Sequence, residues 1–156
     1  MQHLQFIHID LEKNEHCQKL LHLLNAYMED DMGIGEPMPE HLGPKILNGL
    51  KKHSGYRGFF VADSGKIVAL ANCNMNFGTF SAKPLLNIHD LIVLPEYRGK
   101  GIGRFMLQKL DEYALSNECS KITLEVRDDN MKAQSLYKKA GFSAGKPPYG
   151  FWEKSL

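Results

Sequence analysis

Residues 85–103 read LLNIHDLIVLPEYRGKGIG, and the rest of the chain is understood outward from them. The apolar run Leu91, Ile92, Val93, Leu94 has the composition of a buried strand and ends at Pro95. A short turn leads into Arg98, Gly99, Lys100, Gly101, Ile102 and Gly103, and Arg104 opens a helix. Strand, glycine-rich turn and helix N-terminus, in that order, make a site for a diphosphate. The free N–H groups of a helix's first turn point outward, and the macrodipole adds roughly half a positive charge there. Glycines let the backbone approach an anion because no Cβ intervenes. Arg98, Lys100 and Arg104 add mobile positive charge.

Spacing excludes two common phosphate patterns. The Walker string needs Gly, four residues, then Gly-Lys-Ser/Thr, and none occurs. The dinucleotide fingerprint G-x-G-x-x-G starts at Gly99 and Gly101, but its third glycine falls on Arg104, and no first strand precedes it near the N-terminus. Arg98, Gly101 and Gly103 do fit Arg-x-x-Gly-x-Gly. Further on, residues 129–142 read DNMKAQSLYKKAGF, and Asn130 to Phe142 fit N-x-x-A-x-x-L-Y-x-K-x-G-F. The first string resembles the coenzyme A pyrophosphate loop of the GNAT superfamily of N-acetyltransferases. The second is similar to that family's later signature, one strand further along. Two motifs in the right order are far more specific than either alone. The resemblance runs from Leu85 to Phe142.

At 156 residues the chain reads as one domain, residues 1–156, long enough to bury a core. Lys and Arg total 19 against 18 for Asp and Glu, a net charge of +1. That balance speaks against a nucleic-acid binder and against a polybasic membrane anchor. No apolar stretch approaches the roughly 20 residues that span a bilayer. The start MQHLQFIHID has neither the basic nor the apolar region of a signal peptide. Cys17, Cys73 and Cys119 are far apart and form no CxxC pair, so they read as free thiols of a cytoplasmic protein. Seven histidines are scattered without ligand spacing, so no metal is expected.

Period and punctuation predict β-α-α-β-β-β-α-β-α-β-β. Leu4 to Ile9 alternates as a strand. Glu12 to Tyr27 is helical, with Leu20, Leu21, Leu23, Leu24 and Tyr27 as its apolar face. Gly33, Gly35, Pro37 and Pro39 mark a loop. His41 to Lys52 is a second helix. Gly58 to Ala62 and Ile67 to Phe77 are strands around the hairpin turn Asp63 to Lys66. Asn87 to Leu94 is a strand, Arg104 to Ser116 a helix. Lys121 to Arg127 is a strand with Ile122, Leu124 and Val126 on one face. Met131 to Ala140 is a helix ended by Gly141. Phe142 and Tyr149 to Lys154 are expected to supply the last strands. The fold class is α/β, a mixed, largely antiparallel sheet flanked by helices. The crossover from Asn87–Leu94 to Lys121–Arg127 makes those two strands parallel. The resemblance implies that they splay apart and admit the cofactor between them.

Several residues have two readings. Asn130 before an amphipathic helix is an N-cap by type; the resemblance also puts it beside the cofactor. Tyr137 shares a stripe with Ala133, Leu136 and Ala140, so it is a core aromatic by spacing; the resemblance makes it the hydrogen-bond donor to the cofactor sulfur. His89 stands where many family members carry Glu. It is either a hydrogen-bonded core histidine or the general base, a role that imidazole suits near neutral pH. Strand alternation sends His89 and Asp90 to opposite faces. Leu91, Ile92 and Val93 are buried strand side chains, and the resemblance implies a bulge in this strand whose freed backbone groups pair with pantetheine and polarise the thioester. Glu29, Asp30, Asp31 and Glu36 form a solvated loop by composition. The resemblance sets that loop at the acceptor site, where Asp31 and Glu36 would draw a cationic amine.

The resemblance implies an enzyme moving acetyl from acetyl-CoA to a primary amine of a small molecule or peptide by direct attack. Arg98 to Arg104 and Asn130 would hold the cofactor, with Tyr137 and His89 catalytic and no metal. It also implies that the chain can form a homodimer. The alternative is a catalytically silent acyl-CoA sensor or partner-binding module on the same fold.

Overall fold

Lys83–Val93 forms the strand on which the fold turns. The computed structural model describes residues 3–156. In chain order the elements are β1 (Leu4–His8), α1 (Asn14–Glu29), α2 (Leu42–Lys52), β2 (Tyr56–Asp63), β3 (Lys66–Gly78) and β4 (Lys83–Val93). A 3-10 turn at Pro95–Tyr97 leads to α3 (Ile102–Ser116), β5 (Ile122–Leu124) and α4 (Met131–Lys139). The strands form one sheet in the order β1-β2-β3-β4-β5, antiparallel except for the parallel pair β4–β5.

Each inner strand is apolar on both sides because both faces are covered. Phe59, Val61, Ala69, Ala71, Leu86 and Ile88 pack with Ile102, Met106, Leu107 and Leu110 of α3, and Leu136 and Tyr137 of α4 lean on the same cluster. Phe60, Leu70 and Ile92 pack on the opposite face with Leu20, Leu23 and Leu24 of α1, and with Ile46 and Leu50 of α2. Full burial of a leucine contributes roughly 1.5–3 kcal/mol, so these clusters hold the helices on the sheet.

One irregularity decides the geometry of β4. Asn72 pairs with Asp90 but Cys73 pairs with Ile88, which leaves His89 as an extra residue. Such a bulge shifts the facing of every later side chain by one position. Before it, Leu86 and Ile88 face α3; after it, Leu91 and Val93 do, while Ile92 faces α1. The parallel ladder runs Leu86–Ile122, Asn87–Thr123, Ile88–Leu124 and stops there, one residue short of the bulge. The two strands therefore part at His89.

Two expectations are corrected. The strand expected over Lys121–Arg127 spans only Ile122–Leu124, because β4 has turned away before Glu125 could pair. Phe142 and Tyr149 to Lys154 form no strand. Gly145 lies at φ +87°, and Pro147 and Pro148 lack the N–H a ladder needs. Tyr149 and Trp152 are consequently exposed.

Candidate functional site

The turn after β4 is shaped by two glycines. Gly99 has φ +74°, and Gly101, the residue that begins α3, has φ +81°. A side chain in that region costs roughly 1–2 kcal/mol. A Cβ at either position would meet nothing within 4 Å, so glycine serves the backbone conformation and the space over the turn is open. Gly103 is required for another reason. Its Cβ would lie 3.0 Å from Leu136 Cδ2, so its absence lets α4 close onto α3.

No side chain caps α3. Among the described residues, the backbone N–H groups of Ile102, Gly103 and Arg104 meet no protein acceptor. Three aligned donors beneath open space are the arrangement that suits an anion, and the helix dipole points its positive end the same way. Lys100 and Arg104 are exposed beside it, with Lys100 Nζ 5.1 Å from the Tyr97 ring centroid. Ile102 offers only its N–H, since its side chain is buried in the core. Leu91, Ile92 and Val93 likewise commit their side chains to packing, and beyond Ile88 the edge of β4 that faced β5 has no strand partner among the described residues.

Arg98 departs from expectation. Its guanidinium is already engaged: Nε donates to Val93 O at 2.9 Å and Nη2 to Asp30 Oδ2 at 2.6 Å. The backbone carbonyl at the end of β4 and the carboxylate at the end of α1 hold it jointly.

The other expected site residues lie on α4 and on β4 around its bulge. Tyr137 is half-buried on α4, with Phe142 at a centroid distance of 5.9 Å. Among the described residues its hydroxyl has no hydrogen-bond partner. Burial, with a smaller contribution from Tyr27, pushes its phenol up to about 12. Tyr27 at the end of α1 is raised too, by burial first, then by Asp90 and Asp30, with Arg127 opposing. Tyr27 is thus near enough to both Asp90 and Tyr137 to share their electrostatic surroundings. Asn130 is the N-cap of α4, accepting from Ala133 N at 3.1 Å.

His89, the bulge residue, is exposed. The bulge breaks the simple alternation from which opposite faces were expected for His89 and Asp90. It lies at His89, two residues before Leu91. Asp90 is the more anchored of the pair, in a relay across three strands. Tyr56 OH donates to Asn72 Oδ1 at 2.9 Å, and Asn72 Nδ2 donates to Asp90 Oδ2 at 3.0 Å. Asn72 is only 5% exposed, and burial pushes the Tyr56 phenol up. Sequence reasoning passed over this relay. Its one signal was an asparagine inside the apolar run of β3, where a buried amide must find partners.

In the acidic loop, Asp31 and Glu36 are exposed. The anchored residue is Asp30, whose Oδ1 accepts from Met32 N at 3.0 Å. That N–H first, and Arg98 second, hold its carboxyl below the usual range. Ile34 N and Gly35 N both return to Met28 O, and a Cβ on Gly33 would lie 2.1 Å from Tyr27 O, so the loop folds tightly against the end of α1. A concavity of about 470 Å³ lies elsewhere, among His8, Asp10, Lys51, His53 and Arg57, and none of the expected cofactor or catalytic residues lines it.

Residues 17–142 match the model of the Acetyltransferase (GNAT) family. An uncharacterised N-acetyltransferase of Archaeoglobus fulgidus is 39% identical over 82 residues, 51% of this chain and 56% of that protein. The thialysine N-epsilon-acetyltransferase of Mus musculus is 46% identical over 54 residues, 35% of this chain and 32% of the mouse enzyme. The matches thus span about half the length of the first and a third of the second. Among solved structures, an aminoglycoside acetyltransferase from an uncultured soil metagenomic sample, in complex with sisomicin, superposes with a TM-score of 0.79 at 16% identity, covering 98% of this chain and 97% of that one. The aminoglycoside N-acetyltransferase AAC(6')-Iy in complex with CoA gives 0.76 at 12% identity, covering 100% and 97%. Likeness at such low identity establishes the fold.

Proposed function

Because the chain belongs to the acetyltransferase (GNAT) family, we propose that it is an acetyl-CoA-dependent N-acetyltransferase acting on a primary amine by direct attack. The observation that carries this is the uncapped start of α3, with three orphan N–H groups under open space at the end of a strand that has just lost its neighbour. The donors and the adjacent cations Lys100 and Arg104 suit a diphosphate, and the free edge of β4 suits the amides of a pantetheine arm.

Acetyl-CoA supplies the activated acyl group; the reaction forms a nitrogen–carbon bond and breaks the carbon–sulfur bond. The backbone of Leu91–Val93 lines the opening and offers N–H groups where negative charge develops on a carbonyl oxygen. Tyr137 presents a neutral phenol to the departing sulfur. With its pKa near 12 against an ordinary thiol near 8.5, full proton transfer to the thiolate is uphill by about 5 kcal/mol. Tyr137 therefore acts as a hydrogen-bond donor to the developing charge, and the thiolate takes its proton later from solvent. His89, exposed at the bulge, draws the amine's proton directly or through a water. Asp31, Glu36 and the anchored Asp90 favour an acceptor that arrives as a cation. Most of the acceleration comes from holding two reactants at attack distance.

The test is thiol release from acetyl-CoA across a panel of small amines, amino acids, aminoglycosides and peptides, with the acetylated product identified by mass. Turnover with a primary amine supports the proposal. Tight CoA binding without turnover on any amine identifies a silent acyl-CoA sensor instead. Absence of CoA binding removes the reading of the turn altogether.

A further inference from the structure

Arg98 heads the turn and is the residue a phosphate reading would choose first. Its bonds say otherwise. Nε and Nη2 are already engaged, by Val93 O at 2.9 Å and Asp30 Oδ2 at 2.6 Å. Asp30 is the better shielded partner, with its side chain 16% exposed against 48% for Arg98. Its second oxygen accepts from Met32 N at 3.0 Å. A guanidinium drawn off to a diphosphate would leave a shielded carboxylate without its cation. The pair also joins segments 68 residues apart: the cofactor turn, and the tight loop that carries Asp31 and Glu36.

We infer that Arg98 and Asp30 form a strap between the cofactor turn and the acceptor-side loop, so that Arg98 is a positioning residue for the reaction and not a phosphate ligand. The inference rests on the proposed binding of CoA at residues 99–104. Two bonds to one rigid guanidinium transmit order better than a flexible ammonium could. When the turn closes on its ligand, the strap holds Asp30, and with it the first residues of the loop beside the amine. Binding on the cofactor side thereby orders the acceptor side before the acceptor arrives.

The experiment measures hydrogen exchange of residues 30–36 and 95–101, with and without CoA, and CoA affinity by calorimetry. It is done on the wild type, Asp30→Asn, Arg98→Met, Arg98→Lys and the Asp30→Asn/Arg98→Met double variant. In the wild type, CoA should slow exchange in both segments. In each single variant, CoA should still protect 95–101 but no longer protect 30–36. Exchange of 30–36 without CoA should rise about 3- to 10-fold in either single variant, and the double variant should be no worse than the singles. CoA affinity should fall about threefold or less in Arg98→Met and by a similar factor in Asp30→Asn. Arg98→Lys keeps the charge but loses the two-point hold, and should behave like Arg98→Met. The strap is overturned if CoA still protects 30–36 in the single variants. It is equally overturned if Arg98→Met alone loses CoA affinity by about 30-fold or more while Asp30→Asn binds as well as or better than the wild type, the pattern of a phosphate ligand. Should the wild type itself not bind CoA, the titration shows that directly, and what fails is the cofactor assignment. The exchange effects of the variants without CoA still report whether the ion pair ties the two segments.

Discussion

From Leu86 to Ile88, β4 is paired on both edges; from His89 onward its ladder, among the described residues, is with β3 alone. In the first stretch side chains carry the weight: Leu86 is wholly buried and Ile88 nearly so. In the second, Leu91 and Val93 still pack, but the free edge, the bulge and the turn beyond give the strand a second task, presenting backbone donors. A single extra residue separates a stretch paired on both edges from one whose outer edge is open, where we propose that the cofactor binds. The contrast teaches that the same strand can be sensitive to volume at one end and to backbone conformation and charge at the other, and each of the following substitutions presses on one side of it.

The largest effect should fall on the closed half. Leu86→Ala removes a fully buried side chain between β5 and α3, and should lower unfolding free energy by about 2–5 kcal/mol, measured by denaturant titration. CoA affinity of the folded fraction should stay near the wild-type value; a large loss there would dissolve the distinction between the halves. On the open side, Gly101→Asp sets a carboxylate against phosphate, but at φ +81° it also strains the backbone. The informative comparison is with Gly101→Asn, which tolerates the left-handed region equally well. Asp should bind CoA roughly 100- to 1000-fold more weakly than Asn, by calorimetry. Equal affinities would mean that no anion sits over the turn.

Tyr137→Phe keeps the ring against Phe142 and removes the hydroxyl. We expect kcat to fall roughly 10- to 100-fold with little change in CoA affinity. Because the phenol is pushed up to about 12, its ionisation adds no descending limb to the rate below about pH 11, so the profile should drop without changing shape over that range. Unchanged turnover would leave Tyr137 as packing alone. The smallest and most diagnostic effect concerns His89→Gln. If His89 takes the acceptor's proton, the variant should be slower with strongly basic amines and nearly normal with amines already neutral at the assay pH. A rate limb that follows each acceptor's own pKa in both proteins would mean that the enzyme selects neutral amine or works through Asp90 and a water.

The helices and most strands were legible in the chain because period and punctuation agree with burial. Leu20, Leu23 and Leu24 announced α1, and Asp63 to Lys66 announced the β2–β3 hairpin. Asn130 reads as a cap in sequence and is one, because an N-cap is a local contract between a side chain and the N–H three residues on. The expected strands near the C-terminus failed for a non-local reason: aromatic residues favour strands only where a partner edge exists, and β5 extends for three residues. The Tyr56–Asn72–Asp90 relay was invisible because its members are 16 and 18 residues apart and meet only through register.

By itself, then, the sequence determined what local chemistry can write. Gly99 and Gly101 specify a left-handed turn, the apolar run before Pro95 a buried strand, and the order of the two motifs the family and its α/β sheet. Tertiary structure decided the rest. It placed the bulge at His89, ended the β4–β5 ladder just before it, and joined Asp90 to Asn72 and Tyr56. It also turned Arg98 from a free cation into the partner of Asp30. The physical reason is that register and ion pairing depend on which residues lie across from one another, and that is fixed only when the whole core has packed.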